Sequence, residues 1–360
     1  RGHITEDLLS NTGAQWEEAR KRDIGLELGI FDSFSLTLDL FDEQREKMLL
    51  TPQNVTMLVA SSFKELNLGK LKKHGIEIEA EYNKTHENGM NYFVRGILGL
   101  NENRILYKDD LIYAPDYTKS EGKPLGAQLE GIQLTGSGYY TTVDDIHNNV
   151  APVSIGNINV GDYLFLDYNG DGVISVLDKH PIKGSMYPPV SYSLSGGFRY
   201  NGFDFSLMFQ GNAGKYVEFN MQYETEFLQG NWRVHKSQLD YWTPTNQDAT
   251  HATINWSGNG ADPMLAWGGT VQLQGYATFI EDRYWRKADY LRLKEVYLGY
   301  TFKSPVLKQI IGVSDIHFYT TGNNLLTLTP LIEGDPERKD FYSGFYPQMS
   351  SVKFGMKLNF

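Results

Sequence analysis

The chain has 360 residues, and its 33 Lys and Arg against 44 Asp and Glu give a formal charge of −11 and a pI near 5.2. This balance disfavours a nucleic-acid-binding surface, because phosphate contacts require clustered cations. The absence of Cys excludes disulfides, thiolate metal ligands and a Cys nucleophile, whereas 13% aromatic residues and 36 Gly favour extended sheet over helical bundles.

Alternation of apolar and polar residues predicts a succession of β-strands along almost the whole chain. The clearest hairpin is centred on Asn201-Gly202, a dipeptide that favours a two-residue turn between strands. The fourth segment is less regular, because Phe93 and Ile97 fall on its polar face. In chain order, the nine predicted strands are 24–30, 34–40, 76–82, 92–100, 192–200, 203–209, 293–302, 316–322 and 352–360.

Short and long connections alternate between these segments without exception. Long structureless connections are unusual in a compact soluble domain, but an outer-membrane barrel has short periplasmic turns on one rim and long extracellular loops on the other. The sequence therefore predicts an all-β fold: the C-terminal portion, about nine antiparallel strands, of a large transmembrane β-barrel with long extracellular loops. The alternative is a secreted β-sandwich with large insertions, which shows the same alternation.

The last predicted strand alternates up to the aromatic Phe360, like the signal read by the outer-membrane assembly machinery. Nine strands are an odd number, whereas bacterial single-chain barrels have an even number. We therefore expect strands preceding Arg1 to complete the barrel.

Five stretches, which occur in family order, resemble the SusC/RagA family of TonB-dependent outer-membrane transporters from Bacteroidetes. They are Trp16-Glu17-Glu18 leading to Asp23-Ile24-Gly25-Leu26-Glu27, Gly75-Ile76-Glu77-Ile78-Glu79, Gly161-Asp162-Tyr163 with Asp167 to Ser175, Tyr290-Leu291-Arg292-Leu293-Lys294-Glu295-Val296, and Thr321-Gly322-Asn323-Asn324-Leu325.

The resemblance implies a barrel of about 22 strands around a plug, of which residues 1–360 form the C-terminal portion. The plug and the N-terminal strands then lie outside this chain. It also implies import of an oligomeric nutrient, glycan or peptide, across the bacterial outer membrane. The implied partners are a SusD-like surface lipoprotein, the TonB complex acting through the absent N-terminal part, the outer-membrane lipids and the oligosaccharide or oligopeptide cargo. No nucleic acid is expected.

Enzyme signatures are missing from the sequence: it contains no G-x-S-x-G, H-E-x-x-H or P-loop pattern. The eight His residues lack ligand spacing. Glu77, Glu79 and Glu81 alternate along one strand, so they point to one side, as a water-filled lumen requires, and we favour that interpretation over acid catalysis. We expect no enzymatic activity. The competing hypotheses are a secreted calcium-binding β-sandwich that adheres to glycans and a secreted glycoside hydrolase fragment.

Aromatic residues are frequent in the long connections. They are suited to stacking on sugars or filling peptide pockets, to a headgroup-level belt, or to core packing. The clearest examples are Tyr139, Tyr140, Tyr223, Phe227, Trp232, Tyr241, Trp242, Trp256, Trp267, Tyr284 and Trp285.

A calcium site is predicted at residues 167–178, which match a 12-residue EF-hand-type loop. Oxygen ligands fall at positions 1, 3 and 5, a carbonyl at position 7 and a carboxylate at position 12, and Gly172 occupies the sharp turn at position 6. Asp at position 12 replaces the usual Glu, which predicts an affinity of roughly 10⁻⁴ to 10⁻³ M. The predicted ligands are Asp167, Asn169, Asp171, Val173 and Asp178, and the Ca²⁺ ion is expected to be structural.

Overall fold

The computed structural model of the protein describes residues 8–9, 11–55, 62–126, 130–150, 158–181, 184–218, 236–253, 285–331, 334–338 and 348–360. Its main feature is one nine-stranded antiparallel sheet. The strands are β1 (Glu18–Ile30), β2 (Phe34–Leu50), β3 (Leu66–Thr85), β4 (Asn91–Tyr107), β5 (Val190–Tyr200), β6 (Phe203–Ala213), β7 (Tyr290–Lys303), β8 (Asp315–Leu328) and β9 (Ser351–Asn359).

The order of the strands in the sheet follows their order in the chain, so that β1 and β9 form its two edges. All nine predicted strands are therefore confirmed. A β-sandwich needs two sheets packed face to face, whereas these nine strands form a single sheet.

Several strands continue well beyond the predicted segments. β2 continues to Leu50, and β3 already begins at Leu66. Antiparallel pairing between the two strands persists beyond the Phe41–Gly75 pair. Charged residues occupy both faces in these extensions, so alternation of apolar and polar residues could not reveal them.

Strand register gives the sheet one apolar and one polar face. Leu26 pairs with Leu38, and Glu27 beside it pairs with Thr37. The same rows continue across the sheet, because side chains alternate with a period of two and the register does not slip between these strands. On the apolar face the side chains are bare, with Ile24 at 70% exposed.

Tight turns lie along one rim of the sheet. Asn201 and Gly202 both have positive φ, 46° and 83°, as the predicted two-residue hairpin requires. Helix α2 (Pro305–Ile311) joins β7 to β8 on the same rim and ends at Gly312, whose φ of 73° is left-handed. The strand ends that the long connections join, at 51–65, 108–189, 214–289 and 329–350, lie on the opposite rim, which confirms the predicted alternation of short and long connections.

Smaller elements occur in the long connections. Helix α1 (Val143–Asn148) begins with a capping box made by Thr142 and Asp145. Leu134–Tyr139 pairs with Tyr163–Phe165, and Tyr216–Glu218 pairs with Trp285–Lys287. Among the described residues, no helix is long and apolar enough to cross a membrane.

Candidate functional site

The polar face carries the carboxylates that the sequence assigned to one side of β3. Glu77, Glu79 and Glu81 pair with Asp39, Thr37 and Ser35 of β2, so all three belong to this face. Arg95 Nη2 lies 2.8 Å from Glu79 Oε1. Arg95 neutralises one of the three carboxylates, and the row is open to solvent. The row of glutamates therefore resembles the hydrophilic wall of a water-filled space.

A second polar network lies further along the same face. The hydroxyl of Tyr297 is 2.6 Å from Nε2 of His317, and the hydroxyl of Thr301 is 2.9 Å from its Nδ1. The rings of Tyr297 and Tyr319 both stack on the imidazole. His317 is thus held from both ring nitrogens, as expected of a hydrogen-bonded side chain.

An open cavity of about 990 Å³ lies between the polar face and the long connections. Its floor is made of Glu77, Lys73, Asn101 and Asn103 from β3 and β4. The connection 184–189 forms a wall, because the amide of Asn101 donates to the carbonyl of Pro189 at 2.8 Å. The cavity is therefore built where strands and loops meet.

Two tyrosines give this cavity aromatic surfaces. The Tyr187 ring packs against Gly126, where a Cβ would lie only 2.4 Å from the ring. The Tyr216 ring packs against Gly184 in the same way. Both glycines have positive φ. The cavity thus combines flat aromatic walls with amides and charges of both signs, a set suited to an oligomeric polar ligand.

A buried ionic cluster, which the sequence did not predict, fixes the last long connection to the polar face. Arg292 of β7 is 2% exposed, and its guanidinium lies 2.9 Å from both Asp335 and Glu337. It also donates to Thr327 Oγ1 at 2.9 Å and to Gln348. The sequence signal was an Arg within the Tyr290 to Val296 motif, and the β-bulge between Leu293 and Glu295 places it on the face opposite Val296.

Lys215, which lies just after β6, supports the same connection. Its ammonium donates to the carbonyls of Pro336, at 2.7 Å, and Arg338. Burial lowers the pKa of Lys215, while Asp335 and Glu337 oppose that shift. One cationic side chain from β7 and one from the residues just after β6 therefore hold segment 334–338.

The Gly161-Asp162-Tyr163 motif organises a hydrophobic core within the long connections. Gly161 has φ of 95°, and a Cβ there would lie 2.5 Å from the Trp242 ring. The hydroxyl of Tyr163 accepts the amide of Ala252 at 3.2 Å. The core consists of Ile132, Tyr139, Tyr163, Phe165, Ile174, Trp242, Ala249 and Ala252.

Asp162 is a carboxyl group buried within this loop core. It is 2% exposed, its Oδ2 accepts the amide of Asn159 at 2.7 Å, and its Oδ1 has no hydrogen-bond partner. Burial raises the pKa of Asp162 to about 7, and the hydrogen bond from Asn159 only partly offsets it. Burial also raises the pKa of neighbouring Tyr140 to about 12. Asp162 therefore exchanges its proton near neutral pH inside the loop core.

The predicted calcium ligands lie together in one compact loop. Asp167 accepts the amides of Gly170, at 2.7 Å, and Gly172, at 2.8 Å. Asp171 Oδ1 accepts the amide of Val173 at 2.9 Å, and Asn169 Nδ2 donates to Asp171 Oδ2. Side-chain oxygens at positions 1, 3 and 5 thus gather at the start of the loop.

Asp178 closes the loop from its far end. It is fully buried and accepts the amides of Tyr168, at 2.9 Å, and Ser175, at 2.6 Å. Ile174, between the two ends, packs into the loop core. The described residues contain no group of three or more His, Asp or Glu side chains placed to hold a metal. A cation here would thus depend also on Asn169 and the Val173 carbonyl.

Of the loop aromatics, Tyr139, Tyr140 and Trp242 are buried, which agrees with core packing rather than ligand stacking. Trp285 lies in the short strand Trp285–Lys287. Tyr223, Phe227, Trp232, Trp256, Trp267 and Tyr284 lie outside the described residues.

Comparisons with known proteins place this arrangement in a class. No family model matches the chain. The chain is 24% identical over 383 residues to TonB-dependent receptor P3 of Formosa agariphila, covering 98% of this chain and 35% of that protein. It is 21% identical to TonB-dependent receptor SusC of Bacteroides thetaiotaomicron, covering 97% of this chain and 32% of that protein.

Solved structures give the same result for the fold. The RagAB peptide importer in its open-open state matches 98% of this chain and 36% of the matched chain, with 19% identity and a TM-score of 0.71. Its closed-closed state matches with a TM-score of 0.68 and 18% identity. The chain thus spans about a third of the length of the relatives it matches.

The fold is that of part of the β-barrel of a TonB-dependent receptor. The resemblance to the SusC/RagA family is confirmed, and with it the location in the bacterial outer membrane. The relatives are named as receptors and an importer, which agrees with the expectation that the chain is not an enzyme.

Proposed function

We propose that the chain is part of the wall of a SusC-like transporter that imports an oligomeric nutrient across the outer membrane. The observation that carries this proposal is the two-faced sheet. Ile24, Leu26 and Leu28 are 70%, 47% and 41% exposed on one face, while Glu77 and Glu79 lie on the other. Such bare apolar surface is stable in lipid, where backbone groups must also be satisfied by neighbouring strands.

The cavity on the polar face supports a role in contacting cargo. Tyr187 and Tyr216 offer ring faces, while Asn101 and Asn103 offer amides that donate and accept hydrogen bonds. Such groups suit an oligosaccharide or an oligopeptide, the two cargo classes that the sequence left open.

We further propose that the transporter works with a SusD-like surface lipoprotein and is energised through TonB. The long connections all start and end on one rim, which suits a broad surface for a protein lid. Coupling to TonB requires the plug, which the resemblance assigns to a segment outside this chain.

Uptake by a strain that lacks the full-length protein tests the import function. We expect loss of growth on one oligomeric nutrient, oligosaccharide or oligopeptide, and unchanged growth on its monomer. Complementation with Tyr187→Ala should raise the nutrient concentration needed for half-maximal uptake. Leu98→Ala, on the apolar face, is the matched control. Normal growth of the deletion strain on every oligomer tested would count against the import function. Equal uptake by the Tyr187→Ala and Leu98→Ala variants would count against a role of the cavity in contacting cargo.

We also propose that residues 167–178 bind Ca²⁺ with a structural role. The support is the gathering of Asp167, Asn169 and Asp171 oxygens within one loop whose far end Asp178 fastens. Calcium takes six to eight oxygen ligands in flexible geometry, whereas Mg²⁺ demands a near-ideal octahedron, so calcium is the better candidate. Bound there, the ion would stiffen the loop beside Ile174 and the loop core.

A further inference from the structure

The apolar face ends at a level row of side chains, which we call the band-edge row. It runs across four adjacent strands in continuous register. Its members are Ile24, Leu40, Ile76 and Leu100. Above it, toward the long connections, the same face becomes charged, so this row marks the border between apolar and polar surface.

Two rows of charged and polar residues lie directly above the band-edge row. The lower row is Arg22, Asp42, His74 and Glu102, and the upper row is Arg20, Gln44, Lys72 and Arg104. Successive rows on one face are about 6.6 Å apart, because they are two residues apart along each strand. Neighbouring strands are about 4.8 Å apart, so the upper row spans about 14 Å.

These two rows, which we call the basic patch, carry four permanent cations and two carboxylates. The excess of positive charge contrasts with the overall charge of −11. In the upper row every ionisable residue is a cation. The patch is therefore a local region of net positive charge on an acidic protein.

Ion pairing within the patch leaves part of it free. Lys72 lies 3.1 Å from Asp42, and Arg104 lies 3.4 Å from Glu102. Arg20 and Arg22 are exposed, and within the part of the chain that the structure describes neither makes a direct ion pair, although Glu18 interacts with Arg20 at longer range and Asp42 is the cross-strand neighbour of Arg22. Two guanidinium groups next to the apolar border thus keep their hydrogen-bond donors free of a direct ion pair.

We propose that the basic patch binds the anionic phosphate headgroup of an outer-leaflet lipid whose acyl chains cover the apolar rows below. The proposal rests on the proposed membrane-embedded transporter. Arginine donates in a fork that matches phosphate oxygens, and the adjoining Ile24, Leu40 and Leu100 are all exposed to receive the chains. A soluble anion would gain binding free energy only from the cations of the basic patch. A lipid gains it from the basic patch and from the apolar rows below.

The same strands provide a matched control on the opposite face. Lys21 and Lys73 are the neighbours of Arg20 and Lys72, and they face the polar side. Two double variants remove equal charge from the same two strands. The outer-face variant is Arg20→Gln with Lys72→Gln, and the inner-face variant is Lys21→Gln with Lys73→Gln. A purely global charge effect would alter both variants alike.

The test is native mass spectrometry of the full-length transporter, purified in detergent, delipidated and titrated with diphosphoryl lipid A or phosphatidylethanolamine. We expect wild type and the inner-face variant to retain lipid A in preference to phosphatidylethanolamine. Each basic residue near an anionic surface is worth about fivefold in binding, so the outer-face variant should lose about 25-fold in lipid A affinity. Millimolar inorganic phosphate should not displace the lipid.

Equal lipid A affinity of the two double variants, or equal affinity of wild type for both lipids, would overturn the proposal. Displacement by inorganic phosphate would instead show a free-anion site and overturn the lipid assignment. If the outer-face variant fails to assemble, the preference of wild type for lipid A over phosphatidylethanolamine becomes the test of the proposal. Failure here with normal nutrient uptake leaves the transport proposal intact, whereas loss of membrane insertion by wild type would defeat the transport proposal itself.

Discussion

The guanidinium of Arg292 lies 2.9 Å from the carboxylate of Asp335, 43 residues further along the chain, with its side chain only 3% exposed. Arg292 belongs to the polar face of β7, and Asp335 belongs to the connection that precedes β9. The pair therefore ties an outer loop to the inside of the sheet.

Removing the cation should loosen this loop strongly. Arg292→Met leaves the half-buried Asp335 without its ion-pair partner and leaves Glu337 with only Lys294 and the Tyr290 hydroxyl. The cost therefore approaches the roughly 3–5 kcal/mol that is typical of breaking a buried pair. We expect the full-length protein to lose thermal stability and residues 334–338 to lose protection from proteolysis. The control is Lys119→Gln, which breaks the exposed pair with Asp116 and should change thermal stability little, because solvent screens such a pair. Equal effects of the two variants would contradict the role assigned to the cluster.

Neighbouring positions on β6 should differ sharply in their tolerance of charge. Leu207 pairs with Gly196 and Val296 on the apolar face, while Ser206 pairs with Gly197 and Tyr297 on the polar face. Leu207→Lys should cost about 2–4 kcal/mol near the membrane midplane, whereas Ser206→Lys should be nearly neutral. Folding titrations in lipid measure both, and similar costs would show that the facing is wrong. The same facing applies to Ile24, Leu26, Leu28, Phe203 and Phe205 as the apolar set and Glu27, Glu77 and Glu79 as the polar set.

The terminal aromatic should affect assembly more than stability. Phe360 is 84% exposed, so little packing is lost in Phe360→Ala. We expect a lower yield in the outer membrane and unchanged thermal stability of the protein that does assemble. Phe354→Ala is the control, because Phe354 lies in β9 and is equally exposed. If both variants assemble at the wild-type level, the terminal signal is wrong.

Calcium should be lost when the start of the 167–178 loop loses its carboxylates. Asp167→Ala with Asp171→Ala should abolish Ca²⁺ binding, measured by elemental analysis after dialysis, and should expose the loop to proteases. Asp144→Ala, an exposed position in α1, controls for loss of surface charge. An intact wild-type loop that is equally protease-resistant with and without millimolar calcium would refute the structural role.

The buried Asp162 should make the loop core sensitive to pH. Its pKa is about 7 in the folded protein and about 3.9 in an unfolded chain, so the folded state binds the extra proton between these values. The stabilisation is complete below the lower value and is lost as the pH rises through about 7.

Hydrogen exchange of the loop core checks this dependence. We expect protection to fall between pH 5 and pH 8 in wild type and to remain flat in Asp162→Asn, which stays neutral while keeping an oxygen for the Asn159 amide. Asp145→Asn is the contrasting variant, because hydrogen bonds from Thr141 and Thr142 lower the pKa of Asp145. A flat profile in wild type would contradict the neutral state of Asp162.

The strands and the two faces of the sheet were predictable from local pattern. Leu26 and Glu27 differ by one position, and a period of two sends them to opposite sides whatever the rest of the chain does. The hairpin at Asn201-Gly202 followed from the ease with which these residues adopt positive φ. The grouping of the calcium-loop residues was also local, since Asp167 and Asp171 lie within one turn-rich segment.

Other features required the tertiary structure, because their partners are far apart in the chain. Trp242 meets Gly161, and Arg292 meets Glu337, only after long connections have folded back on the sheet. The cavity likewise joins Glu77 to Tyr216, and no spacing rule connects such distant positions.

The succession of strands, the alternation of faces and the family resemblance could thus be predicted from the amino-acid sequence, because each depends on neighbouring residues. The ends of the strands and the pairing of charges became visible only in the folded protein. Arg20, Lys72 and Arg104 are scattered over three strands, and strand register alone aligns them in one row above Ile24. Register depends on backbone hydrogen bonds between segments distant in sequence, so it cannot be read from any one of them.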